Sequence, residues 1–115
     1  MTKSRGGDEE REETWEHFRE LVNMKPAELE KWLASERSRS AGQHKDGGES
    51  TGHASGRRIV EILRAKKGDL SDDDYQHMRK VVGYIRRHLA QRPSGDVEDT
   101  RWRHSLMNWG HDPLA

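Results

Sequence analysis

Leu70-Ser71-Asp72-Asp73-Asp74-Tyr75-Gln76-His77-Met78-Arg79-Lys80-Val81-Val82-Gly83-Tyr84-Ile85-Arg86-Arg87-His88-Leu89-Ala90-Gln91-Arg92-Pro93 carries the start, the seam and the stop of one amphipathic helix. Ser71 is an N-cap residue, Asp74 stands at the N3 position of a capping box, and Leu70 and Tyr75 are spaced as a hydrophobic staple. Asp is short for the reciprocal capping bond, but three early acids suit the positive end of the helix dipole. Tyr75, Met78, Val82, Ile85 and Leu89 step by three and four residues, which makes a single apolar seam. The helix stops near Gln91, because the residue before Pro93 avoids the α region.

On either side of this helix the apolar residues keep the same period. Ile59, Ile62 and Leu63 predict a helix over Gly56–Lys67, with Gly68 as its C′ residue. Trp15, Phe18, Leu21 and Val22 predict another over Glu12–Val22, and Pro26 opens a short one to Ala34 that buries Leu29, Trp32 and Leu33. Past the Pro93-Ser94-Gly95 turn, Thr100 caps a last short helix from Arg101 to Met107. Residues 1–10 read as a disordered, acidic and Gly-rich tail without an apolar anchor, and 11–115 as one helical domain with a Gly/Ser-rich loop at 35–55. No run alternates with period two. The expected fold is all-α: a small bundle of four main helices plus a short C-terminal helix, without a sheet.

Composition bounds what such a bundle can do. Of 115 residues, 30% are hydrophobic and 37% charged, against norms of about 45–50% and 25%. The core is therefore lean, and four Trp offset part of the deficit. Twenty-one bases balance 21 acids, so the high net charge that accompanies compositional disorder is missing. No stretch approaches the ~20 apolar residues of a membrane span, and no apolar secretory segment follows Met1. The absence of Cys excludes disulfides and thiolate zinc sites. A cytoplasmic protein with no membrane partner is the expectation.

The neutral total hides a polarity. Asp8 to Glu20 holds Asp8, Glu9, Glu10, Glu12, Glu13, Glu16 and Glu20 against only Arg11 and Arg19. Gln76 to Arg92 holds Arg79, Lys80, Arg86, Arg87 and Arg92 with no acid. At about 100° per residue, His77, Lys80, Tyr84, Arg87, His88 and Gln91 fall on the side away from the seam, and Arg79 and Arg86 border its edge. A solubility face normally mixes signs through i,i+4 pairs. An acid-free face with an aromatic and amide donors suits phosphates and base edges. Upstream, Ser55 as a cap followed by Arg57 and Arg58 reads either as a plain capped helix start or as an anion site on free N–H groups.

Other chemistries are not supported. Gly47 and Gly52 open a Walker A spacing, but His53-Ala54 stands where Lys-Ser/Thr is required. His77 and His88 share a face yet lie about 16 Å apart along the axis, too far for one metal ion. No nucleophile elbow accompanies the many Ser and His. No catalytic residue, metal or cofactor is expected. Trp102 and Trp109 in the closing Arg101–Pro113 segment either stack on bases or are buried packing that clasps the helices.

Asn23-Met24, Glu28-Leu29, Trp32-Leu33, Gly52-His53 and Ser55-Gly56-Arg57 resemble a bacterial domain-of-unknown-function family, numbered 3140. So do His77-Met78-Arg79-Lys80-Val81-Val82-Gly83-Tyr84 and Ser105-Leu106-Met107-Asn108-Trp109-Gly110-His111-Asp112-Pro113. The resemblance runs from Trp15 to the C-terminus. It implies no catalytic or metal residue, and its members are often labelled DNA-binding proteins.

The expected function is non-catalytic binding of nucleic acid, DNA before RNA. Ser55, Arg57, Arg58, His77, Arg79, Lys80, Tyr84, Arg86, Arg87 and Gln91 are the candidate contacts. Six phosphate contacts predict roughly a thousandfold loss of affinity between about 50 and 200 mM salt. His77 and His88 predict binding that rises as pH falls through ~6.5. The alternative is a protein-interaction module whose basic face docks an acidic partner, including the Asp8–Glu20 segment of a second copy.

Overall fold

The computed structural model describes residues 2–41 and 51–115. It contains α1 (Thr2–Leu21), α2 (Pro26–Leu33), α3 (Glu36–Ala41), α4 (Thr51–Arg64), α5 (Asp72–Leu89) and α6 (Arg101–Asn108), with one 3₁₀ turn at Lys67–Asp69. No strand occurs among the described residues. The chain is an all-helical bundle. α5 starts as its local chemistry requires: Ser71 Oγ accepts the Asp74 N–H at 3.1 Å, and the Ser71 N–H donates to Asp74 Oδ2 at 2.9 Å. The short Asp therefore closes both halves of the capping box. Thr100 Oγ1 accepts the Arg103 N–H and caps α6 in the same way.

Several element bounds differ from the expected ones. α1 is helical from Thr2, well ahead of Glu12. A sixth helix, α3, occupies Glu36–Ala41 inside the stretch read as a loop; the rest of that stretch, 42–50, lies outside the described residues. α4 begins at Thr51 rather than Gly56, so Ser55 is buried in its second turn and caps nothing. α4 also ends at Arg64, and Gly68 sits in the 3₁₀ turn without the positive φ of a C′ residue. At the start of α4, polar and Gly-rich sequence becomes helix because neighbouring helices cover Gly52, Ser55 and Gly56, which outweighs weak intrinsic propensity.

α1 packs on α5, α2 on α4, and α3 on α6. Phe18, Leu29, Ile59, Met78, Ile85 and Leu106 are wholly buried where these pairs meet. Tyr75, Met78, Val82 and Ile85 of the seam are in that core, joined by Val81; Leu89 is only partly covered. All four Trp serve packing: Trp102 and Trp109 are buried, while Trp15 and Trp32 are partly so. Trp15 lies beneath Arg19 and Lys67, whose charged ends are 5.5 and 5.6 Å from its ring.

The polar centre of the bundle is Asn108, 1% exposed. Its Oδ1 accepts from Trp32 Nε1 at 2.8 Å and from Ser38 Oγ at 2.5 Å, and its Nδ2 donates to the Ser38 carbonyl at 3.0 Å. α4 crosses beside it at Gly56, where a Cβ would stand 2.4 Å from the Asn108 carbonyl oxygen and 2.7 Å from Leu33 Cδ2. Only glycine permits that approach. Gly56→Ala should cost about 1–3 kcal/mol of stability through overpacking, whereas Gly68→Ala, with nothing within 4 Å of the new Cβ, should be nearly neutral. Urea denaturation of the two variants checks this, and equal midpoints would contradict it.

Candidate nucleic-acid interface

A helix turns about 100° per residue, so positions i−4, i−3, i+3 and i+4 surround any residue on its surface. Around Gly83 those positions are Arg79, Lys80, Arg86 and Arg87. All four are exposed. None forms an ion pair among the described residues. The missing side chain at Gly83 leaves a shallow floor, over which Arg87 leans: a Cβ there would lie 3.2 Å from its Nη1. Gln91, exposed in the turn after α5, extends this face.

The remaining candidates are built into the fold. Ser55 Oγ and His77 Nε2 are hydrogen-bonded at 2.9 Å across α4 and α5. A serine beside a histidine has the spacing of a nucleophile and its base, but Ser55 is 5% exposed and no carboxylate among the described residues hydrogen-bonds His77. The pair is an interhelical tie. Neither reading of a Ser55-capped helix start, plain cap or anion site, holds, since α4 starts at Thr51 and the N–H groups after Ser55 lie inside it. Arg58 pairs with Asp74 at 3.2 Å, and Arg57 has an interaction of its own on α4. Tyr84 stacks on Trp109 at 4.1 Å and on His88 at 4.6 Å, so its ring is occupied by protein.

Beside the basic face runs a groove of about 1010 Å³ that the sequence reading missed. Lys80, Tyr84 and Arg87 of α5 form one wall, Arg101 and Ser105 of α6 the other, and Trp109 part of the floor. No carboxylate is among its described lining residues. Arg101 is held in place by donating to the Ser40 carbonyl at 3.1 Å. The available signal was the Thr100 cap, which puts Arg101 at the first position of a helix; the packing of α6 against α5 was not legible.

Ion pairs on the rest of the surface assemble the helices. Arg11 pairs with Asp72, Lys67 with Glu12, and Arg64 with Glu30 through two contacts. Near the C-terminus Arg103 grips Asp112 through Nε and Nη2, both at 3.1 Å. Burial alone would raise the Asp112 carboxyl, but the Arg103 bonds prevail and hold it below its ordinary value. The Ser71 N–H holds Asp74 low as well, against a smaller effect of burial. His77, His88 and His104 all lie below the ordinary imidazole value, chiefly through burial, with Arg58 and Lys80 adding to it at His77.

The fold and this surface define a small helical domain with one acid-free basic face. The chain belongs to the family described as proteins of unknown function, DUF3140, whose model matches residues 17–107. No curated protein and no solved structure matches it.

The histidine shifts set the pH response. A folded imidazole that resists its proton lets the unfolded chain bind more protons below the unfolded value, so stability declines as pH falls. The decline should begin near 6.5, with a second loss below 3.8 as Asp74 and Asp112 titrate. Thermal midpoints should be level above about pH 7.5 and drop toward pH 5, and His77→Gln should shrink that drop. An identical drop in the variant would contradict the assignment. Binding that depends on these histidines should also stay flat until the pH is below the ordinary imidazole value, later than the sequence alone suggested.

Proposed function

We propose that the protein binds nucleic acid, DNA foremost, without catalysis, by holding phosphates on the outer face of α5. The observation that carries this reading is the set of four exposed cations around Gly83 that have no ion-pair partner among the described residues. Elsewhere in the bundle Arg11, Arg37, Arg58, Arg64, Lys67 and Arg103 are matched with carboxylates. Cations kept without partners raise the local potential and favour a polyanion, and phosphate contacts supply most sequence-independent affinity. Arg57 and Arg58 drop out of the contact set because they have other interactions.

With about four phosphate contacts instead of six, affinity should fall roughly a hundredfold between about 50 and 200 mM salt. Fluorescence anisotropy with a labelled duplex across that range tests the slope. Arg79→Glu/Arg86→Glu should abolish most binding, and Arg64→Glu, on the far ion pair with Glu30, should not. Salt-independent binding, or equal loss in both variants, would refute the reading.

One observation favours a second reading, self-association. Glu13, Glu16 and Glu20 are exposed on α1, which packs beside α5. A second copy could therefore place its α1 there. Sedimentation at rising protein concentration separates the two readings: a dimer broken by Glu13→Lys/Glu16→Lys/Glu20→Lys supports this one.

A further inference from the structure

Resting on the nucleic-acid reading, we propose that the groove between α5 and α6 receives a single strand, while a duplex reaches only the outer face of α5. Lys80 and Arg87 belong to both surfaces: they border Gly83 and also form one wall of the groove. They are seven residues apart, hence about 10.5 Å along the helix axis. Arg101 faces them from α6. A chain of phosphates running along the groove therefore meets cations on both walls.

The concavity selects the form of nucleic acid. A duplex carries its phosphates on a stiff convex cylinder, which can lie against Arg79, Lys80, Arg86 and Arg87 but cannot bend inward to Arg101. A single strand is flexible enough to enter. Single-strand sites combine a positive groove that tracks the backbone with aromatic side chains beneath the bases. Here the cations are Lys80, Arg87 and Arg101; Tyr84 and Trp109 line the groove but are stacked on each other, so the selection rests on the cations and the concavity. The volume, about 1010 Å³, is at the upper end of the roughly 300–1,000 Å³ typical of ligand pockets, which suits a short strand segment better than an isolated phosphate.

The test uses the full chain and two probes of one sequence, a labelled single strand of about 12 nucleotides and its duplex, read by anisotropy. Arg101→Gln removes the groove's α6 charge and keeps an amide donor for the Ser40 carbonyl. It should weaken single-strand binding about fivefold and lower its salt slope by about one, and leave duplex binding within about twofold. Arg101→Lys should restore the single-strand affinity. Thr51→Glu, at an exposed position on the groove rim, adds a carboxylate without touching α5 and should act in the same direction, so a misfolded Arg101 variant leaves the idea exposed to refutation. Single-strand affinity unchanged in both variants, or lost in parallel with duplex affinity, overturns the groove proposal alone. If the unaltered protein binds neither probe, the reading of α5 falls and the groove proposal with it.

Discussion

Four helices meet at Asn108, and the burial of its amide constrains the rest of the bundle. The side chain of this α6 residue is bonded to Trp32 of α2 and Ser38 of α3, and its carbonyl lies against Gly56 of α4. A buried amide left unpaired costs about 1–3 kcal/mol, a sizeable share of the stability of a small domain with a lean core. The three partners are thus held in one arrangement. That arrangement positions α6 to face α5, and the groove exists because of it.

The closing residues after Asn108 fasten the other side of the molecule. Trp109 slots against Tyr84, and Gly110, at φ 85°, turns the chain where a Cβ would press to 2.9 Å from Val22 Cγ1. The Gly110 carbonyl receives the Met24 N–H, while His111 Nδ1 lies 2.6 Å from the Leu21 carbonyl. The Asn23 side chain exchanges two hydrogen bonds with the Asp112 backbone, whose carboxylate is gripped by Arg103. A run that looks aromatic and basic in sequence is a clasp. Its tryptophans are spent on packing, so neither is left exposed for bases.

Charge in this protein serves two purposes that composition cannot separate. Arg58, Arg64, Lys67 and Arg103 each face a carboxylate on another element or another turn, and the exposed pairs of Arg64 and Lys67 contribute roughly 0–1 kcal/mol each. The four cations around Gly83 have no such partner among the described residues. Asp72, Asp73 and Asp74 cap α5 at its start and Arg86, Arg87 and His88 crowd its last turn, so each sign also stands at the end of the helix dipole that favours it. The same arrangement leaves the outer face of the middle turns purely basic.

How much was legible followed from the range of the interactions. The α5 cap, its seam and its basic face depend on residues within a turn or two, and period and capping chemistry reveal them directly. Pro26 opening α2 and Thr100 capping α6 were readable for the same reason. α3, the early start of α4 and the burial of Ser55 were not: α3 is too short to show a period or to hold alone, and Gly52, His53 and Ser55 are weak helix formers that become helical under cover supplied from Asn108, Trp109 and His77, which are remote in sequence. Arg58 looked like a surface cation until the bundle brought Asp74 to it. The sequence alone determined which helix is basic and where it begins and ends, since local hydrogen bonds and side-chain periodicity set both. Tertiary structure decided which cations remain unpaired and that a groove lies beside them, since each depends on helices distant in the chain being packed together.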